Sequence, residues 1–276
     1  MADTKLGLSK TGHFLRNALT LATLSKAAYA DDVAKSPEFQ ATALGNLRRI
    51  ENKKTNTQAF VASDDTNVVL AFRGTSAPQD FVIDVRARLV ETPLSAVHAG
   101  FGAAIESVWP QVGTEVRKQW SADKTLWVTG HSLGAALAVL AGALMPSDMP
   151  VFQIATFGQP RVGDKEFAAT FKTRRLKLYR FVNNNDIVPT IPSRFVPGSL
   201  TPPRFYQHVG DLQHFDATRT LVDKSDDELG LAPQLLETLG PMANADAKAA
   251  KLILSGLRDH GIDNYIACLK HNLNLK

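Results

Sequence analysis

The sequence predicts an α/β fold, a mostly parallel central sheet flanked by helices. Three observations point there. After residue 66, short apolar runs rich in β-formers alternate with helical patterns, as strand–helix–strand crossovers require. The short apolar run Leu126-Trp127-Val128 leads through Gly130-His131-Ser132-Leu133-Gly134 into a stretch of small residues, Gly134–Gly142, that reads as a helix. The chain has 276 residues, 44% hydrophobic and 21% charged, enough to bury one full core without staples.

The elements follow in order. Lys5, Lys10 and Arg16 precede the apolar run Ala18-Leu19-Thr20-Leu21-Ala22-Thr23-Leu24, and Ala28-Tyr29-Ala30 mimics a signal-peptidase site. That run is short and carries two threonines, and Lys26 stands where cleavage sites are uncharged. The same residues suit a helix with Leu15, Leu19, Ala22 and Tyr29 on one face. A structural helix is therefore expected, with the compartment left open between cytoplasm and secretion. Asn67–Arg73 reads as a strand closed by Gly74. Phe101–Trp120 is helical in pattern, with Pro110 set to bend it. Val151–Phe157 is a strand closed by Gly158, and Leu176–Val182 alternates and closes at Asn183-Asn184-Asn185. Pro189, Pro192, Pro197, Pro202 and Pro203 mark a long surface excursion. Residues 225–269 read as mainly helical. No repeat interrupts the pattern, and a single domain over 1–276 is expected. Nothing approaches the ~18 uninterrupted apolar residues of a membrane span.

Composition narrows the function classes. Cys268 is the sole cysteine, so no intrachain disulfide forms, and no Cys/His spacing suggests zinc. Net charge is +4 with pI ≈ 9.1, and the basic residues are scattered. That is not a nucleic-acid footprint.

The pentapeptide at Ser132 carries chemistry. A strand turning sharply into a helix exposes the middle hydroxyl, and the flanking glycines let backbones approach. A serine hydroxyl is a weak nucleophile near neutral pH; it needs a base, and the base needs an orienting acid. Asp186 directly follows the strand ending at Val182 and suits the acid. Asp164 follows a strand only after a further turn and suits an N-cap for the next helix. Four histidines follow: His208, His214, His260 and His271. His271 lies near a fraying end. His208 sits among Phe205, Tyr206 and Val209, as a core histidine does. His260 lies in Arg258-Asp259-His260-Gly261, between two helical stretches. The residues alone leave the base open between His260 and His208. An oxyanion needs two donors: the Leu133 N–H, and one from a loop after another central strand, for which Arg73-Gly74-Thr75-Ser76 is the best candidate.

Five motifs occur in one order: Phe72-Arg73-Gly74-Thr75, His98-Ala99-Gly100-Phe101, Gly130-His131-Ser132-Leu133-Gly134, Gly158-Gln159-Pro160-Arg161-Val162-Gly163 and Asn185-Asp186-Ile187-Val188-Pro189. The set resembles the fungal-type (class 3) triacylglycerol lipases of the α/β-hydrolase fold, from the N-terminal helix to Asp259-His260. The resemblance implies Ser132 as nucleophile, Asp186 as acid, His260 as base, and Thr75 and Leu133 as the oxyanion hole. His208 then matches a structural position. It implies hydrolysis of acylglycerol esters through an acyl-enzyme, with no cofactor and no metal. Rivals on the same site are a phospholipase, a short-chain or feruloyl esterase and an acyltransferase. A rival of another class is a catalytically silent lipase-like scaffold. The secreted fungal members are stapled by disulfides and this chain cannot be, which points to a bacterial-type relative. The family carries its mobile cover after the oxyanion loop. Residues 76–88, with Pro78 suited to a first helical turn and Phe81-Val82-Ile83 amid polar residues, are thus expected to form a lid that meets a lipid interface transiently. The stretch 225–256 is not matched within that resemblance, and packing or part of the cover over the acyl pocket are both open to it.

Overall fold

The computed structural model describes residues 5–76, 88–194, 205–226 and 254–275. All but the ends of the expected lid at 76–88, and residues 227–253 of the expected helical region, lie outside them.

Helix α1 (Phe14–Ala27) is almost wholly enclosed, burying Leu15, Ala18, Leu19, Leu21, Ala22 and Leu24. Its two threonines fit because their hydroxyls bond back to the helix, Thr20 to the Arg16 carbonyl and Thr23 to that of Leu19. A short α2 (Pro37–Gln40) is capped by the Ser36 hydroxyl. Strands β1 (Gly45–Asn52), β2 (Thr57–Ser63) and β3 (Asn67–Phe72) then form an antiparallel meander. The hairpin of β4 (Leu89–Thr92) and β5 (Ser95–His98) leads into α3 (Ala99–Gln119), with Pro110 inside it. Next come β6 (Thr125–His131), α4 (Leu133–Leu144) and β7 (Val151–Phe157). They are followed by β8 (Gly163–Asp164), α5 (Lys165–Thr173) and β9 (Leu178–Asn183). The described chain continues with β10 (Tyr206–Gln207), β11 (Asp211–Phe215), β12 (Leu221–Val222), a helical segment 254–259, and α6 (Ile262–Asn272).

The main sheet has the order β1-β2-β3-β6-β7-β9-β11-β12. From β3 to β11 all neighbours are parallel. β3 and β6 are buried at every residue, because helices cover both faces. On one face Leu70, Phe72, Val128, Ile154 and Leu178 pack with α3 and α4. On the other, Val69, Ala71, Trp127, Phe157 and Phe181 pack with α1 and α6. A smaller sheet, β10-β8-β5-β4, lies beside it.

Several expectations are refined. β6 runs on through Gly130 to His131 rather than stopping at Val128. Asp164 caps α5, accepting from the Phe167 N–H at 2.9 Å. The proline-rich stretch does not begin as a surface excursion: Pro189 and Pro192 are buried. Their burial is possible because the carbonyls there find donors. His208 Nε2 meets the Pro189 carbonyl at 2.8 Å, and the Arg161 guanidinium donates to the carbonyls of Thr190 and Pro192.

Candidate active site

Ser132 stands between β6 and α4 with φ 59° and ψ −128°, a conformation that costs a non-glycine residue about 1–3 kcal/mol. The surroundings enforce it. A Cβ on Gly130 would overlap the Gly134 carbonyl, and one on Gly134 would overlap the Phe72 carbonyl. The first turn of α4 therefore lies directly across β6 and the end of β3. The Ser132 N–H is held by the Phe157 carbonyl at 3.0 Å. The Ser132 side chain is fully enclosed, and its Oγ has no hydrogen-bond partner.

Asp186 follows β9 and is 4% exposed. Its carboxylate faces Nδ1 of His260, with Oδ2 at 2.8 Å and Oδ1 at 3.0 Å. Oδ1 also accepts from the Val188 N–H, and Oδ2 from the Tyr265 hydroxyl. Burial first, and then the Asp186 charge, push the Tyr265 phenol well above its ordinary range, so it remains a donor. With Nδ1 donating to the carboxylate, neutral His260 presents its lone pair at Nε2. That nitrogen is buried and has no partner. Gly158, φ +60°, lies against the pair; a Cβ there would overlap His260 Nδ1 and Asp186 Oδ2.

His260 is tied to the acid's loop by its neighbour. Asp259 accepts from the Asn184 side chain at 2.9 Å and the Asn185 N–H at 3.2 Å, while its carbonyl accepts from the Asn183 side chain at 2.8 Å. The three asparagines that read as a turn thus form the dock for the histidine segment. His131 lies over the same ring, centroids 4.5 Å apart. Its Nε2 is 2.7 Å from the His260 carbonyl, and its Nδ1 is 2.7 Å from the Tyr29 hydroxyl.

The loop after β3 lies against the elbow. A Cβ on Gly74 would overlap the Tyr29 hydroxyl and the His131 carbonyl, and would come within 3.1 Å of Ser132 Cβ. Thr75 follows directly, and Leu133 opens α4 next to Ser132, where first-turn N–H groups lack intrahelical partners.

The remaining histidines lie elsewhere. His208 bonds the Pro189 carbonyl, His214 is buried on β11, and His271 is exposed on α6. Sequence reasoning missed Tyr29, His131, Asp259 and Tyr265 as members of this site. His131 offered a signal, as the residue beside Ser132 in the motif; Tyr265 offered none. Among the described residues no group of three His, Cys, Asp or Glu side chains is arranged to hold a metal ion. None of their helices is long and apolar enough to cross a membrane.

A mostly parallel sheet with helices on both faces and a serine on a strand–helix elbow defines an α/β-hydrolase. Residues 69–196 match the family described as lipase (class 3). That span includes Thr75, Ser132 and Asp186, while His260 lies beyond it. Among relatives, a secreted mono- and diacylglycerol lipase of Fusarium solani is 32% identical over 171 residues, covering 58% of this chain and 50% of the relative. The chloroplastic phospholipase A1-Igamma2 of Arabidopsis thaliana is 26% identical over 272 residues, covering 78% of this chain and 51% of that protein. The chain thus spans about half the length of each. The solved Rhizomucor miehei triacylglyceride lipase is 26% identical, with a TM-score of 0.64 over 75% of this chain and 82% of the other.

Proposed function

We propose that this chain hydrolyses carboxylic esters of the acylglycerol class through an acyl-enzyme on Ser132. Ser132 Oγ attacks the ester carbonyl carbon while His260 Nε2 takes its proton. Asp186 holds the resulting imidazolium through Nδ1. The N–H groups of Thr75 and Leu133 receive the oxyanion. As the tetrahedral intermediate collapses, the C–O bond to the alcohol breaks and His260 returns the proton to the leaving oxygen. Water, deprotonated by the same nitrogen, then attacks the acyl carbon. The fatty acid leaves and the Ser132 hydroxyl is restored.

One observation carries this reading. Ser132 Oγ and His260 Nε2 are both buried and both without a partner, while the other nitrogen of His260 is fixed on Asp186. A buried unsatisfied polar group costs about 1–3 kcal/mol, and native proteins keep few of them. Ser132 on its strained elbow and His260 before α6 are accounted for if both are held ready for a reacting ester. The match of residues 69–196 to the lipase (class 3) family supports the acylglycerol class. The likeness to a plant phospholipase A1 favours a second reading on the same residues, with phospholipid as substrate.

Turnover of p-nitrophenyl esters from acetate to palmitate, with triglyceride and phosphatidylcholine emulsions alongside, tests the assignment. Preference for long acyl chains and triglyceride supports it. Preference for phosphatidylcholine moves it to phospholipase, acetate alone to a short-chain esterase, and no turnover to a silent scaffold. Contact with a lipid interface through residues 76–88 belongs to the same proposal, supported by the apolar triplet Phe81-Val82-Ile83.

A further inference from the structure

We propose that Tyr29 and His131 form a positioning relay that fixes His260 through its backbone and ties it to the oxyanion loop. The inference rests on the reading of His260 as the base.

The direction of each proton follows from the partners. A carbonyl oxygen only accepts, so His131 Nε2, 2.7 Å from the His260 carbonyl, carries the hydrogen. A neutral imidazole has one N–H. His131 Nδ1 is then an acceptor, and the Tyr29 hydroxyl at 2.7 Å donates to it. The phenol oxygen also lies close against Gly74, where an added Cβ would overlap it. The chain of donors runs from Tyr29 to His131 Nδ1, and from His131 Nε2 to His260. The other tautomer would set a lone pair against the His260 carbonyl, which only accepts. The carbonyl therefore selects the tautomer, and the Tyr29 hydroxyl fixes the ring by occupying the remaining lone pair at Nδ1.

The ring contact gives the same pair a second effect. His131 and His260 are stacked at 4.5 Å with planes 30° apart. When His260 takes the serine proton, the new cation faces this ring at close range. Burial first, and then the neighbouring His260, push His131 well below the usual histidine range. It stays neutral and does not take the proton. The relay joins four separate pieces of chain: the turn after α1, the loop after β3, the end of β6, and the segment before α6. His260 follows the helical segment 254–259, its N–H bonded to the Gly256 carbonyl at 3.1 Å, while its carbonyl and ring are held by bonds from distant parts of the chain.

The test is kinetic and spectroscopic, with p-nitrophenyl butyrate as substrate and thermal melts to confirm folding. Tyr29→Phe should lower kcat roughly 10- to 100-fold, as a displaced reacting group does, with KM changed less than about threefold. The downfield proton resonance of His260 Nδ1–H should shift or broaden in Tyr29→Phe, an effect mere loss of stability does not produce. His131→Leu should be at least as slow. His131→Gln, whose amide N–H lies near the position of Nε2, should recover most of that loss. The double variant Tyr29→Phe/His131→Leu should be no slower than His131→Leu, because the two act as one unit. Unchanged kcat and resonance in a folded Tyr29→Phe, or additive losses in the double variant, overturn the relay. Ser132→Ala, assayed beside them, separates the cases. If it is inactive while Tyr29→Phe is normal, the relay alone fails; if it is active, the hydrolase reading fails.

Discussion

The Tyr265 hydroxyl donates to Oδ2 of Asp186, the same oxygen that lies 2.8 Å from His260 Nδ1. One carboxylate oxygen thus serves two donors five residues apart, one before α6 and one on it, and Oδ1 is held by the Val188 N–H. The carboxylate is fixed on both oxygens before His260 acquires any charge.

Removing the phenol should therefore be visible in the rate. A hydrogen bond to a charged group contributes about 1.5–3 kcal/mol. Tyr265→Phe should slow turnover of p-nitrophenyl butyrate roughly 10- to 100-fold by that magnitude. A folded variant with native rate would show that the hydroxyl only fills space.

Asp186→Asn keeps the shape and loses the charge. The amide can donate toward Nδ1 and turn His260 to the wrong tautomer, so turnover should fall about 10⁴-fold. His260→Ala should lose as much as removal of the serine hydroxyl, because the two act as a unit. Rates of purified variants on p-nitrophenyl butyrate check both. An active His260→Ala with an inactive His208→Ala would transfer the base to His208.

Asp259 makes its own testable contribution. Asp259→Ala removes the acceptor shared by the Asn184 side chain and the Asn185 N–H, and should loosen the segment before α6. A loss of about 10-fold in kcat is expected from the resulting misplacement of His260. Faster amide exchange over 254–261 should accompany it. Native exchange and native kcat would assign the positioning of His260 to other contacts.

Much of this site was legible because its constraints are local. Gly130 and Gly134 flank Ser132, and each faces a carbonyl that a side chain would strike. Asp164 lies three residues before the amide it caps. The parts that were not legible depend on partners far away in the chain. His131 meets Tyr29 and His260 at separations of 102 and 129 residues, and Tyr265 meets Asp186 at 79. The choice between His260 and His208 was open for the same reason, since each is decided by one distant contact. The prolines misled because burial of Pro189 and Pro192 depends on Arg161 and His208, which no local pattern announces. β1 was missed because its burial is low and broken by Arg48 and Arg49, as on an edge strand.

Acid should destabilise the fold through three histidines. Burial lowers His131 and His208 well below the ordinary value, and His214 to about 4. Each binds a proton in the unfolded chain below about pH 6.5 while remaining neutral in the folded one. Stability is therefore fully present above that pH and falls as pH drops toward the folded values, by up to about 1.4 kcal/mol per pH unit for each group. Denaturant midpoints between pH 7 and 4.5 measure this, and His214→Gln should reduce the slope by one proton. A flat profile across that range would contradict the buried neutral state of all three.

The central claim is that Ser132 is the nucleophile of an ester hydrolase, and turnover of p-nitrophenyl butyrate by Ser132→Ala tests it most directly. The substitution removes one buried hydroxyl oxygen that has no partner, so the melting temperature should not fall. Turnover should drop by about 10⁴-fold or more. Near-native turnover by the folded variant would contradict the assignment of Ser132, and with it the roles given to His260 and Asp186.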